Sequence, residues 1–161
     1  MMPSPDKLSV EILIESPGWT AHPEAEVAIR RAIAESAQMV SAPKGEVAVV
    51  LTDDAAVRNL NRIWRDIDAA TNVLSFPAKP TPGAPTQLGD IVMAYETVAR
   101  EAVAEAKPFD HHLSHLAVHG FLHLLGHDHE ADHEANAMER LECAILARLD
   151  VPDPYAARDA T

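Results

Sequence analysis

Eight of the nine histidines of this chain fall between His111 and His133, and the densest stretch, residues 116–130, reads LAVHGFLHLLGHDHE. His119 and His123 are four residues apart. On a helix that spacing stacks two imidazoles on one face, one turn apart, so both can reach a single metal ion. Gly126 suits the left-handed residue that ends a helix, and Asp128 suits the turn beyond it. The chain can then double back and bring a third histidine to the same point.

His111, His115, His119, His123 and His127 recur every four residues, so the spacing must be made to choose among them. Donor nitrogens sharing a metal at ~2.0–2.1 Å lie within a few ångströms of one another. His115 and His123 are separated by roughly 12 Å of helix axis at ~1.5 Å per residue, too far to share a metal with His119. The third donor must come from beyond Gly126, from His127, His129 or His133. His127 follows the break with little chain in which to turn. His129 has two residues more and is the preferred candidate, giving H-x3-H-x5-H.

Three protein donors leave a fourth position open, the mark of a catalytic rather than a structural zinc site. Zinc lowers the pKa of coordinated water to about 7, which makes hydrolysis the natural chemistry. The competing reading is a histidine-rich helix that lies on the surface or holds a metal only to fix the fold. H-x3-H-x5-H is also the spacing of metzincin proteases, where a glutamate follows the first histidine as general base. Here that position is Gly120, so peptide hydrolysis lacks its base.

HGFLHLLGHDH resembles the signature of the YbeY family of bacterial single-strand endoribonucleases, roughly H-G-x-L-H-L-x-G-[HY]-D-H. The resemblance implies that one Zn2+ is held by His119, His123 and His129. The family admits Tyr at the place of His127, which argues against His127 as a donor. A second block, LNRIWRDIDAATNVLSFP over residues 60–77, resembles the family's L-N-x-x-[YW]-R-G-x-D-x-P-T-[ND]-V-L-S-F-P. It implies a functional role for Arg65, whose guanidinium can hold phosphate oxygens and stabilise charge at phosphorus. Without the resemblance, Arg65 reads as a solvated cation at a helix end. Asn72 and Ser75 are candidate polar substrate contacts, or else the cap and edge of a strand. Leu88-Gly89-Asp90 also matches the family.

Two departures fall beside Arg65. Asp66 stands where the family carries Gly, and Ala69-Ala70 replaces a common Lys-Pro. An added carboxylate and a lost lysine make that edge less attractive to phosphate. The resemblance implies cleavage of single-stranded RNA in ribosomal RNA maturation and ribosome quality control, with the small ribosomal subunit or assembly factors as partners. Either water or an RNA 2′-hydroxyl would serve as nucleophile. The alternatives are a metal hydrolase on a non-nucleic-acid substrate and a non-catalytic ribosome-assembly factor with a structural metal.

The elements that must position these residues follow from periodicity. Residues 8–15 alternate as a strand, with Val10, Ile12 and Ile14 on one face. Residues 22–40 form an amphipathic helix with Pro23 in its first turn. A buried strand spans 46–51. Thr52 caps the next helix, and Val57, Leu60 and Trp64 supply its inner face. Strands at 72–76 and 89–95 flank a connection with four prolines between Pro77 and Pro85, expected to be exposed. A helix over 97–106 precedes the histidine helix, which buries Leu113, Leu116, Ala117, Gly120 and Leu124. The last helix, 131–149, faces Ala135, Met138, Leu141 and Ile145 inward, with Asp128 and Glu130 orienting a ligand or capping it and Cys143 packing near its stripe. The order β-α-β-α-β-β-α-α-α predicts an α/β (α+β) domain, a small mixed four-stranded sheet packed with about five helices. One domain spans 1–161, with about 152–161 as a frayed tail.

Composition limits the partners. With 13 basic against 25 acidic residues the net charge is −12, which opposes broad coating by RNA, because phosphate contacts dominate such binding. A small cleft with a divalent metal and a few arginines escapes that objection. The single cysteine, Cys143, precludes an internal disulfide and fits a reducing compartment. The absence of a secretory pattern or of ~18 continuous apolar residues points to a cytoplasmic protein without a membrane partner.

Overall fold

The computed structural model describes residues 8–79, 87–127 and 131–155. Four strands, β1 (Leu8–Ile14), β2 (Gly45–Thr52), β3 (Val73–Pro77) and β4 (Gln87–Ala94), make one sheet in the order β1-β2-β4-β3. β1, β2 and β4 run parallel, and β3 pairs antiparallel with β4 at the edge. Five helices pack on it: α1 (Ala25–Met39), α2 (Asp54–Arg65), α3 (Tyr95–Ala104), α4 (Phe109–Leu124) and α5 (Asp132–Arg148). The small mixed sheet with five helices is the α+β arrangement that the periodicity predicts.

The pleat of the sheet divides the interior in two. Val47, Val49, Leu51, Ile91 and Met93 face α1, α4 and α5, where Ile29, Ile33, Leu113, Phe121, Leu122, Ile145 and Leu146 fill the main core. Leu74, Val92 and Ala94 face the other way and meet Val57 and Leu60 of α2. Successive side chains of β4 are therefore buried on both faces, which explains its unbroken apolar run IVMA. α4 lies between sheet and helices. Its histidines occupy the narrow stripe that the core leaves over.

Several local expectations need correcting. The second helix is capped by Asp53, whose Oδ1 accepts from the Ala56 N–H at 2.8 Å, while Thr52 ends β2. Trp64 is not on the inner face of α2 but is 69% exposed. Ile14, at the end of the edge strand β1, is half exposed rather than inward. The first helix starts at Ala25, not at residue 22, because Pro17–Ala21 forms a separate 3-10 turn. That turn buries Trp19, whose indole N–H donates to Thr52 O at 2.9 Å, and it leaves His22 stacked on Phe109 with ring centroids 3.7 Å apart. Among the described residues no helix is long and apolar enough to cross a membrane.

Candidate metal centre

α4 presents His115, His119 and His123 on successive turns of one stripe. Its end is a Schellman closure: Gly126 N–H donates to His123 O at 3.0 Å and His127 N–H to Leu122 O at 3.1 Å. Gly126 takes φ +95°, the left-handed region that this closure requires. The break therefore falls where the sequence places it, one turn beyond His123.

His119 Nδ1 lies 2.6 Å from Glu142 Oε1, and His119 Nε2 lies 3.1 Å from His123 Nε2. The carboxylate fixes the ring: it accepts from Nδ1–H, so the lone pair sits on Nε2 and faces His123. Two nitrogens bound to one zinc at ~2.0–2.1 Å in tetrahedral geometry stand about 3.3 Å apart. The observed separation is close to that value, so this pair fits a shared divalent cation. His129, the preferred third donor, lies outside the described residues, as do Asp128 and Glu130. Among the described residues no group of three His, Cys, Asp or Glu side chains is assembled to hold a metal. His127 and His133 thus do not complete one with the pair.

Glu142 is the residue that periodicity missed. It is 1% exposed and accepts from His115 Nε2 at 2.9 Å, His119 Nδ1 at 2.6 Å and the Tyr155 hydroxyl at 2.6 Å. Burial alone would raise its pKa, but the hydrogen bonds from His115, His119 and Tyr155 outweigh it and hold the carboxyl at about 2. A buried charge of this kind is tolerated only because its oxygens are so fully satisfied. Met138, Glu142 and Ile145 share one inward stripe of α5 at helical spacing. A carboxylate in that apolar stripe was the available signal. Tyr155, placed in the frayed tail by sequence, is held to the centre through its hydroxyl.

The remaining histidines are placed elsewhere. His112 is buried against Glu101 at 2.9 Å, and His115 shares Glu142 and Tyr155 rather than joining the pair. Asn72 donates to Glu101 at 3.0 Å and accepts from the Val73 N–H, so its side chain ties β3 to α3. Ser75 joins β3 to α4: its hydroxyl donates to Gly120 O at 2.9 Å. Arg65 reaches the same residue from the other side, donating Nη2–H to Ser75 O at 3.2 Å with its guanidinium 5.9 Å from the Phe76 ring centre. A chain of contacts thus runs from Arg65 through Ser75 to the residue after His119.

Gly120 explains the missing protease base. A Cβ there would sit 3.2–3.3 Å from Ile91 Cγ2, Ser75 Oγ and Val73 Cγ2. The position faces the sheet, not the imidazoles, and a glutamate side chain has no room there.

Comparison with known proteins identifies the family. The family model described as Endoribonuclease YbeY matches residues 17–150. The chain belongs to the YbeY family. A curated relative from Bradyrhizobium sp. (strain BTAi1 / ATCC BAA-1182), named Endoribonuclease YbeY, is 56% identical over 98% of both chains. One of the same name from Rhodopseudomonas palustris (strain BisA53) is 58% identical over 94% of this chain and 92% of its own. The solution structure of a Thermotoga maritima protein shares the fold with a TM-score of 0.56, at 21% identity, over 94% of this chain and 92% of that one.

Asp66, where the YbeY pattern carries Gly, takes φ +57° at the end of α2. The turn demands a left-handed backbone, which glycine adopts freely and which aspartate is among the few other residues to tolerate. The loop beyond is held by Asn61, which donates to Ala69 O at 2.9 Å, and by a two-point pair between Arg58 and Asp68 at 2.7 and 3.0 Å. Arg65 is thus presented from an anchored turn.

Proposed function

We propose that this protein is a zinc-dependent endoribonuclease that cleaves single-stranded RNA, acting in ribosomal RNA maturation and ribosome quality control. The observation that carries the reading is the His119–His123 pair, with its nitrogens 3.1 Å apart and one ring fixed by the buried Glu142. His119, His123 and His129 would hold the ion. When bound, it supplies Lewis acidity toward a phosphodiester and its attacking oxygen.

The chain's own residues do the rest. Glu142 keeps the proton of His119 on Nδ1 and so keeps Nε2 available as a donor. Arg65 contributes a permanent positive charge for the non-bridging oxygens, whose negative charge grows as phosphorus becomes five-coordinate. Ser75 and Asn72 act through the backbone they hold: Ser75 fixes β3 against α4, and Asn72 fixes the start of β3 against α3. No carboxylate base adjoins the pair on α4, which favours a phosphodiester over a peptide.

The test is cleavage of an unstructured RNA by purified protein, alone, with chelator, and after metal is restored. Cleavage that is lost with chelator and recovered with zinc is the expected result. Chelator-insensitive cleavage would remove the metal from the reaction, and absence of cleavage in the zinc-loaded protein would leave the non-catalytic assembly factor as the better account.

A further inference from the structure

The end of α2 carries an apolar surface that the fold does not use. Ile63, Trp64 and Ile67 are 60%, 69% and 51% exposed, three of the seven large apolar side chains left in solvent among the described residues. The other four are scattered over β1, α1 and α3, whereas these lie within five residues. Trp64 is held without being covered: its ring meets Phe76 edgewise, with centroids 6.4 Å apart. The other tryptophan, Trp19, is 2% exposed.

Charge distinguishes the occupant. In a protein of net charge −12, α2 carries three arginines, Arg58, Arg62 and Arg65, against one acid, Asp54. Arg65, next to Trp64 in sequence, lies over the same Phe76 ring that the indole meets edgewise. An aromatic face beside a cation suits a base beside a phosphate, because stacking takes the base while the guanidinium takes the backbone. A single strand offers such bases unpaired. Phe76 meets both Trp64 and Arg65, and the neighbouring Ser75 bonds Gly120 beside His119, so strand β3 links the platform to the helix that carries the imidazole pair.

Resting on the endoribonuclease reading above, we propose that Trp64 is a stacking platform for a base of the single-stranded RNA substrate, with Arg65 holding an adjacent phosphate. Holding the indole in place before the RNA arrives reduces the ordering cost of the contact.

The experiment measures binding separately from cleavage. Zinc-loaded wild-type and variant proteins are titrated against a fluorescein-labelled 2′-O-methyl oligouridylate, its integrity checked on a gel, while tryptophan emission of the wild type is followed with unlabelled oligomer. Trp64→Ala and Trp64→Leu should weaken binding about 5- to 100-fold, the range for loss of one base–aromatic stack. Trp64→Phe should stay within about threefold of wild type. RNA should quench wild-type emission, and Val103→Ser, at a residue 82% exposed on α3, should bind as wild type does. Wild-type affinity in Trp64→Ala would overturn the proposal. Wild-type affinity in Trp64→Leu would also overturn it, in favour of an apolar docking surface for a protein. If the wild type cleaves RNA yet the Trp64 variants bind normally, only the platform fails; if it neither cleaves nor binds, the endoribonuclease reading fails with it.

Discussion

At the scale of single residues, the imidazole pair is braced by a carboxylate that is 1% exposed. Glu142 satisfies two imidazoles and a phenol at once, and an amide cannot accept from all three. Glu142→Gln must turn its NH2 toward at least one donor. We expect it to lower zinc affinity about 10- to 100-fold, the usual effect of losing a group that orients a ligand, in a protein that still folds. Competition with a chromophoric chelator reads this directly, and unchanged affinity would show that His119 needs no orienting partner. The neighbouring Cys143 behaves oppositely. Burial, then a hydrogen bond to Asp153 and nearby carboxylates, pushes its thiol up to about 12. At pH 8.5, where an ordinary exposed thiol is about half ionised, Cys143 remains a thiol. Alkylation of the folded protein should be at least tenfold slower than that of the urea-unfolded chain, and equal rates would contradict the assignment.

At the scale of elements, most of the architecture was legible, because the patterns that reveal strands and helices are the patterns of the core. α4 reads correctly since Leu113, Leu116, Ala117, Gly120 and Leu124 form a stripe opposite the histidines, and all are buried. Where reading failed, two demands met on one residue. Trp64 continues the apolar periodicity of α2, yet the helix reaches the sheet edge at its last turn and nothing remains there to cover an indole. Pro23 looks like a first-turn proline, but the aromatic cluster of Trp19, Tyr95 and Phe109 draws the preceding turn inward and delays the helix. Tyr155 was illegible because its partner is a single buried carboxylate distant in sequence. The backbone at the helix ends supplies a further prediction. Asp66 and Gly126 both take positive φ, so Asp66→Gly should stabilise the protein by about 0.5–1 kcal/mol and Gly126→Ala should destabilise it by about 1 kcal/mol. Among the described residues no atom stands within 4 Å of a Cβ at Gly126, so its cost there is conformational rather than steric. Urea unfolding midpoints decide both signs. Asp66→Gly also removes a carboxylate beside Arg65, and RNA affinity should rise with it.

At the scale of the whole molecule, an acidic protein is asked to act on a polyanion. The structure concentrates the opposing charge: arginines gather on α2, the imidazole pair sits on α4, and β3 joins them through Ser75. That division separates two properties. The imidazole pair lies on α4 and is braced by Glu142 of α5, whereas Arg65 is exposed and bonds only the Ser75 backbone and the Phe76 face among its described contacts. Its removal should cost no more than about 0.5 kcal/mol of stability, as for other surface positions. The central claim is phosphodiester cleavage by a metal and a cation together, and one comparison tests it most directly: zinc content and single-turnover cleavage of unstructured RNA, measured side by side for wild type, His119→Ala and Arg65→Ala. We expect His119→Ala to lose metal and activity together, and Arg65→Ala to keep its zinc and its unfolding midpoint while cleavage falls at least 100-fold, as when a group stabilising transition-state charge is removed. Cleavage at the wild-type rate by a zinc-loaded Arg65→Ala protein would contradict the account.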